Sequence, residues 1–331
     1  MEVAVKQYFF DDDQLKNLLK LKLFSSFYLN VKQPFNFRLT MWKPSHFYTG
    51  LEKHSLTKSW RTFTIEQKIL GVKIEMVNNK MFVKVYSDGF VSDIIINKLK
   101  KRIARSYGIN DEYYFTNFDY NENINSIIKK LYGMRMSCPE NLFEISVISL
   151  LLQNTTIKRT TSMLQNLLYY FGRVVEFDNV LLYSFFFPED IINVDKNFLK
   201  ETCKLGYRSK YILNFAKFFY NNCTDELYEL CKDDLLVELQ KINGVGPYTA
   251  NVIASHVFRN TSSIALDCWN RKILSNYIYG ESDMDPILLQ NNMEKDFSSL
   301  KGIISLYVIE YEYLNNPVVP LLNDEKKCKK K

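Results

Sequence analysis

Asp267 is the residue whose setting most invites chemistry. It follows the short apolar run Ile264-Ala265-Leu266 and precedes a helical pattern through Trp269, Ile273, Leu274 and Tyr277, so its carboxylate is expected at or near a helix N-cap. Upstream lies the turn Gly244-Val245-Gly246, followed by Pro247, which suits the first turn of a helix. Gly244 and Gly246 can take positive φ and carry no side chain, so successive backbone N–H groups can approach an anion. Unpaired N–H groups at a helix N-terminus add partial positive charge, which makes Gly244, Val245, Gly246, Tyr248 and Thr249 candidates for holding a phosphate without any Lys or Arg. Such a clamp grips nucleic-acid backbone rather than sequence. The plainer readings are a packing corner between two helices and an Asp that only caps.

Two helices must flank this turn. Leu235, Leu236, Leu239 and Ile242 recur at helical spacing before it, and Ala250, Val252, Ile253 and Val257 give an apolar face after it. The pair can pack on each other and present the glycines at their junction.

The run Leu239-Gln240-Lys241-Ile242-Asn243-Gly244-Val245-Gly246-Pro247-Tyr248-Thr249-Ala250-Asn251, followed by Ala265-Leu266-Asp267, resembles the helix-hairpin-helix (HhH-GPD) DNA glycosylase superfamily. Leu205-Gly206-Tyr207-Arg208-Ser209-Lys210-Tyr211, Leu131-Tyr132-Gly133-Met134-Arg135 and the segment SLLLQNTTIKR from Ser149 to Arg159 are similar to further motifs of its 8-oxoguanine and 3-methyladenine II branches. Together they extend the resemblance over roughly residues 125 to 280.

That resemblance implies a repair enzyme that flips a damaged base out of duplex DNA and cuts its N-glycosidic bond. The transition state is oxocarbenium-like and calls for an anion beside the sugar, the catalytic role it assigns to Asp267. Bifunctional members carry lysine after the hairpin, where this chain has Tyr248, so a monofunctional enzyme leaving an abasic site is expected. Gln153 and Asn154 occupy the place of the wedge that fills the vacated stack, and Arg208 is expected to meet the orphaned base from the other side. Tyr248, Trp269 and Tyr207 are the candidate lesion-pocket rings, with Trp42 and Tyr311 as further aromatics. Electron-rich rings favour a cationic alkylated purine. A G-Q-x-F-x-W-like segment is missing and Trp269 stands where the 8-oxoguanine branch often has His, which points the same way. The backbone carbonyls of Gln240, Ile242 and Val245 match the positions that hold a monovalent cation, Na+ or K+, and no cofactor is otherwise required. The open alternatives are a bifunctional 8-oxoguanine glycosylase and lyase, a non-catalytic hairpin DNA-binding protein, and a purely structural helical scaffold.

The 331 residues, 47% of them hydrophobic, suffice for two compact domains, and a net charge of +6 suits a polyanion such as double-stranded DNA. Cysteines at 138, 203, 223, 231, 268 and 328 form neither a C-x-x-C pair nor a closely spaced four-cysteine run, so no iron-sulfur cluster is expected. The N-terminus lacks the order of a signal peptide and the apolar run from Val147 to Leu152 is too short to span a bilayer. An intracellular, cytoplasmic or nucleoid monomer with no membrane partner follows as the expectation.

Alternation at Phe35, Phe37, Leu39 and Met41, at Val72, Ile74 and Met76, and at Met81, Val83 and Val85 predicts antiparallel strands, with Asn78-Asn79 as a turn and a covering helix over 91–107. Residues 110–125 are polar and read as a linker, and helical periods dominate to about Asn315, after which Pro317 and Pro320 stop helix formation. The expected fold is mainly α with an N-terminal α+β domain: an antiparallel sheet with its helix over 1–115, an all-helical HhH-GPD core over 116–316, and a basic tail over 317–331.

Overall fold

The computed structural model describes residues 10–47, 49–115, 120–222, 224–259, 264 and 266–316. A short helix α1 (Asp12–Lys16) leads through β1 (Leu19–Lys20) into β2 (Lys22–Asn30), α2 (Phe37–Met41), β3 (Glu52–His54), β4 (Lys58–Ile65), β5 (Lys68–Val77), β6 (Lys80–Ser87) and α3 (Asp93–Tyr107). Strands β2 to β6 form one antiparallel sheet in the order β2-β6-β5-β4-β3. Glu66-Gln67 and Asn78-Asn79 close its two-residue hairpins with positive φ at both positions, the backbone that matches strand twist. Helix α3 lays Ile95, Leu99, Ile103 and Tyr107 over Phe63, Val72, Ile74 and Val83, and Gly108 ends it in a left-handed cap.

The run from Phe35 to Met41 is not a strand. The Asn36 side chain accepts the Leu39 N–H at 3.0 Å, an N-cap that turns residues 37–41 into α2 despite their alternation. Leu39 then packs with Ile124, Ile128 and Tyr307, far along the chain.

Helices follow: α4 (Glu122–Lys130), α5 (Leu142–Leu152), α6 (Ile157–Phe171), then a hairpin of β7 (Val174–Phe177) and β8 (Val180–Tyr183), α7 (Pro188–Ile191), α8 (Ser209–Asn221), α9 (Thr224–Glu229), α10 (Lys232–Gln240), α11 (Pro247–Phe258), α12 (Cys268–Leu274), α13 (Pro286–Phe297) and α14 (Lys301–Asn315). The hairpin corrects the expectation of an all-helical core. Asp178-Asn179 supplies its turn, both at positive φ, and β7 also pairs in parallel with β1. Helix α5 is apolar around nearly its whole circumference because it runs through the middle of the helical cluster, between α6, α8 and α11. Asn121 caps α4, so the polar linker ends there. Ala265, Pro317, Pro320 and the lysine tail lie outside the described residues. No helix among those described is long and apolar enough to cross a membrane.

Candidate active site

Asp267 is the N-cap of α12: its Oδ1 accepts the backbone N–H groups of Trp269 at 2.9 Å and Asn270 at 2.7 Å. Both cap bonds fall on one oxygen, and the exposed carboxylate stands on the wall of a cleft of about 750 Å³. Tyr248, from the first turn of α11, and Tyr313, from α14, line the same cleft. Burial, then the charge of Asp267, push the Tyr248 phenol above its ordinary value, so at neutral pH the hydroxyl keeps its proton. Burial pushes Tyr313 up to about 12, with Glu310 and Asp267 adding to it. Trp269 leans on Tyr313, ring centroids 5.1 Å apart.

The hairpin between α10 and α11 forms as its glycines suggest, with a division of labour. Gly244 takes φ 106, and a Cβ there would sit 2.2 Å from the Tyr211 ring, so glycine is required both by conformation and by space. Gly246 is instead extended, φ −84 and ψ 174, as N-cap of α11, and a Cβ on it would meet nothing. Only one of the two glycines therefore needs the left-handed region. Val245 is buried and its N–H donates to the Ile242 carbonyl at 2.9 Å, which removes that amide from the anion-facing set. The first turn of α11, at Tyr248 and Thr249, offers the amides that a helix N-terminus leaves without intrahelical partners.

Gln153 and Asn154 follow α5 directly. Asn154 is exposed at φ 47, a loop tip, while Gln153 donates its side-chain amide to Thr249 Oγ1 at 3.0 Å and ties that loop to the hairpin. Arg208 does not face outward. It is 2% exposed, with Nε donating to the Leu150 carbonyl at 3.2 Å and Nη2 to the Gln153 carbonyl, so its planar fork holds the loop from beneath rather than meeting a base. Tyr207 covers that guanidinium at 4.5 Å and is exposed outside the cleft, so it is no pocket ring. Nor do two further aromatics line the cleft. Trp42 is buried against His46 and His54, and Tyr311 packs edge-on against Tyr277.

Further lining comes from residues that the motifs do not reach. Glu310 of α14 is buried and accepts the Ser45 N–H at 2.7 Å and Ser45 Oγ–H at 2.6 Å, with Lys43 Nζ 3.6 Å away. Arg61 of β4 bridges Glu52 at 3.3 Å and Glu144 of α5 at 2.7 Å. Burial drives the Glu144 carboxyl up against the pull of Arg61, with Glu140 and Glu52 adding to the rise. Sequence held one clue: His46 and the Glu52-Lys53-His54 triplet gather two of the chain's 3 histidines in one short stretch.

Residues 147–298 match the model of the HhH-GPD superfamily base excision DNA repair protein. They form an HhH-GPD domain. A probable N-glycosylase/DNA lyase of Methanothermobacter thermautotrophicus is 20% identical over 216 residues, covering 60% of this chain and 69% of the relative. Among solved structures, a 3-methyladenine DNA glycosylase from Archaeoglobus fulgidus superposes with a TM-score of 0.73 at 18% identity, over 87% of this chain and 98% of its own. The 8-oxoguanine glycosylase/lyase of Clostridium acetobutylicum, with DNA bound, gives 0.59 at 19% identity, over 78% and 86%. At these identities the superpositions speak for the fold: the HhH-GPD domain here carries an N-terminal sheet region, as structures of both kinds match over most of this chain.

Proposed function

We propose that this DNA N-glycosylase hydrolyses the bond to a base extruded into the cleft and leaves an abasic site without nicking the strand. The observation that carries the reading is that Asp267 and Tyr248 line the same cleft, so that the residue after the hairpin brings a phenol rather than an amine to the carboxylate. The carboxylate offers its charge to the oxocarbenium-like transition state, and the α11 amides grip the neighbouring phosphate. Gln153 and Asn154 enter the vacated stack from a loop that Arg208 braces. Tyr248, Trp269 and Tyr313 are electron-rich rings around the cleft, which supports an alkylated, cationic purine as the excised base. The carbonyls of Gln240, Ile242 and Val245 would hold a Na+ or K+ that bridges hairpin and phosphate. Ile242 spends one lone pair on the Val245 N–H and keeps the other. The enzyme acts as a monomer inside the cell.

Asp267→Asn tests the central claim. The cap survives through the amide oxygen, so duplex affinity should hold while single-turnover excision falls by about 10²-fold or more. Unchanged excision across a panel of single-lesion duplexes would remove Asp267 from the chemistry. A second reading, a glycosylase/lyase, draws on Lys43, the one lysine among the described cleft-lining residues, although it pairs with Glu310. Borohydride trapping separates the two: a covalent adduct lost in Lys43→Arg would establish the lyase.

A further inference from the structure

Three side chains outside the excision chemistry converge at the N-terminal wall of the cleft. His46 Nε2 lies 3.2 Å from Glu52 Oε1, and His54 Nε2 lies 3.5 Å from Glu52 Oε2. One ligand atom from each residue falls within 4.8 Å of the others. Their side chains are sunk, 12%, 8% and 1% exposed for His46, Glu52 and His54. His46 Nε2 and His54 Nε2 face Glu52 without well-aligned hydrogen bonds, and His54 Nδ1 is buried without a partner, a state native interiors rarely tolerate unless another species satisfies the atoms.

Geometry and charge name that species. Bonds of ~2.0–2.1 Å from a tetrahedral ion place neighbouring donors ~3.3–3.4 Å apart, close to the separation of each His Nε2 from the Glu52 oxygen it faces, 3.2 Å to Oε1 and 3.5 Å to Oε2. Trp42 packs its ring on His46 at 4.2 Å and edge-on to His54 at 5.0 Å, so both imidazoles are held in place by packing. The buried network around them sets the carboxylates Glu52, Glu140, Glu144 and Glu310 against Arg61, Arg102 and Lys43 in a poorly solvated interior. Two imidazoles and one carboxylate are a borderline-soft donor set that suits zinc rather than calcium or magnesium.

We propose that His46, Glu52 and His54 bind one divalent cation of the zinc class, with a fourth position on the cleft side, which His46 and Glu52 line. The ion takes up the Glu52 carboxylate and fastens the loop carrying His46 to β3. Nothing in this proposal depends on which base is excised.

The test uses the full chain, stripped with a chelator and titrated with Zn2+ by calorimetry and with Co2+ by absorption. One ion per chain is expected, together with cobalt ligand-field bands of four-coordinate strength, a Tm raised by Zn2+, and at least tenfold weaker binding in Glu52→Gln and His54→Ala. His46→Gln serves as a second variant should His54→Ala fail to fold, and the cobalt spectrum needs no variant at all. A thiolate-to-cobalt charge-transfer band would trace the binding to cysteines such as the exposed Cys231 and Cys268 and overturn the assignment. So would undiminished binding in Glu52→Gln, or the absence of a saturable site.

Discussion

Asp178 concentrates the docking of the β7–β8 hairpin on a single carboxylate. It accepts Trp60 Nε1–H at 2.7 Å and Tyr86 O–H at 2.9 Å, and Lys73 Nζ lies 2.7 Å away. Burial pushes its pKa up, yet the bonds from Lys73, Trp60 and Tyr86 outweigh burial and hold it below its ordinary 3.8. A depressed folded pKa contributes stability that is present above the unfolded value and disappears as pH falls through the folded one. Asp178→Asn keeps a residue that tolerates positive φ at the turn but turns an amide N–H2 toward donors, so it should cost about 2 kcal/mol near neutrality. In denaturant melts the deficit should shrink below pH ~4 as wild type loses its own carboxylate charge; a deficit constant down to acid pH would show that the charge plays no part. Asp267 was legible in the sequence because a cap is set by its own neighbours. Arg208 was not, because which way a guanidinium turns depends on carbonyls at Leu150 and Gln153, more than fifty positions away.

At the scale of elements the hairpin separates two reasons for being glycine. Gly244→Ala must accept both a left-handed φ of 106 and a Cβ 2.2 Å from the Tyr211 ring, so a loss of several kcal/mol, at least ~2, is expected from thermal or chemical melts. Gly246→Ala adds a methyl to open space on an extended residue and should leave Tm within a degree or two. That methyl does occupy the approach to the α11 N-terminus, so affinity for undamaged duplex should fall about tenfold. Equal destabilisation by both changes, or Gly246→Ala that binds as wild type does, would move the phosphate grip elsewhere. The helix-turn-helix was readable because 3.6-residue periodicity and glycine punctuation are both local. The segment 37–41 misled for a local reason as well: five residues fit either period, and the Asn36 cap decides between them. The β7–β8 hairpin was hidden because strands of four residues barely show a period at all, and their apolar faces answer to a sheet edge built by β1 at the other end of the chain.

For the molecule as a whole, the boundary expected near residue 115 is crossed by much of what holds the fold. Leu51 sits in the cluster of α5, α6 and α8, Leu39 in that of α4 and α14, and Leu21, Ile69 and Tyr86 pack with Val175, Phe177 and Leu182. Polar links cross as well: Arg61 with Glu144, Arg102 with Glu140 at 2.9 Å, and Thr64 Oγ1–H with Glu140 at 2.6 Å. Arg135 donates to the carbonyls of Lys32, Pro34 and Glu112, stitching the entry to α5 onto the sheet region. Removing residues 1–119 would strip Glu140 and Glu144 of their arginines and uncover the apolar faces that Leu21, Leu39 and Leu51 now pack against. The two regions are therefore proposed to be layers of one cooperative unit, with a cleft lined both by Ser45, His46 and Glu52 of the first and by Tyr248 and Asp267 of the second. Calorimetry on the intact chain should give one transition with calorimetric and van't Hoff enthalpies in agreement, and a fragment starting at residue 120 should fail to show cooperative unfolding. Two separated transitions, or a fragment that melts cooperatively, would make the sheet region an appendage and the cleft a seam between independent domains.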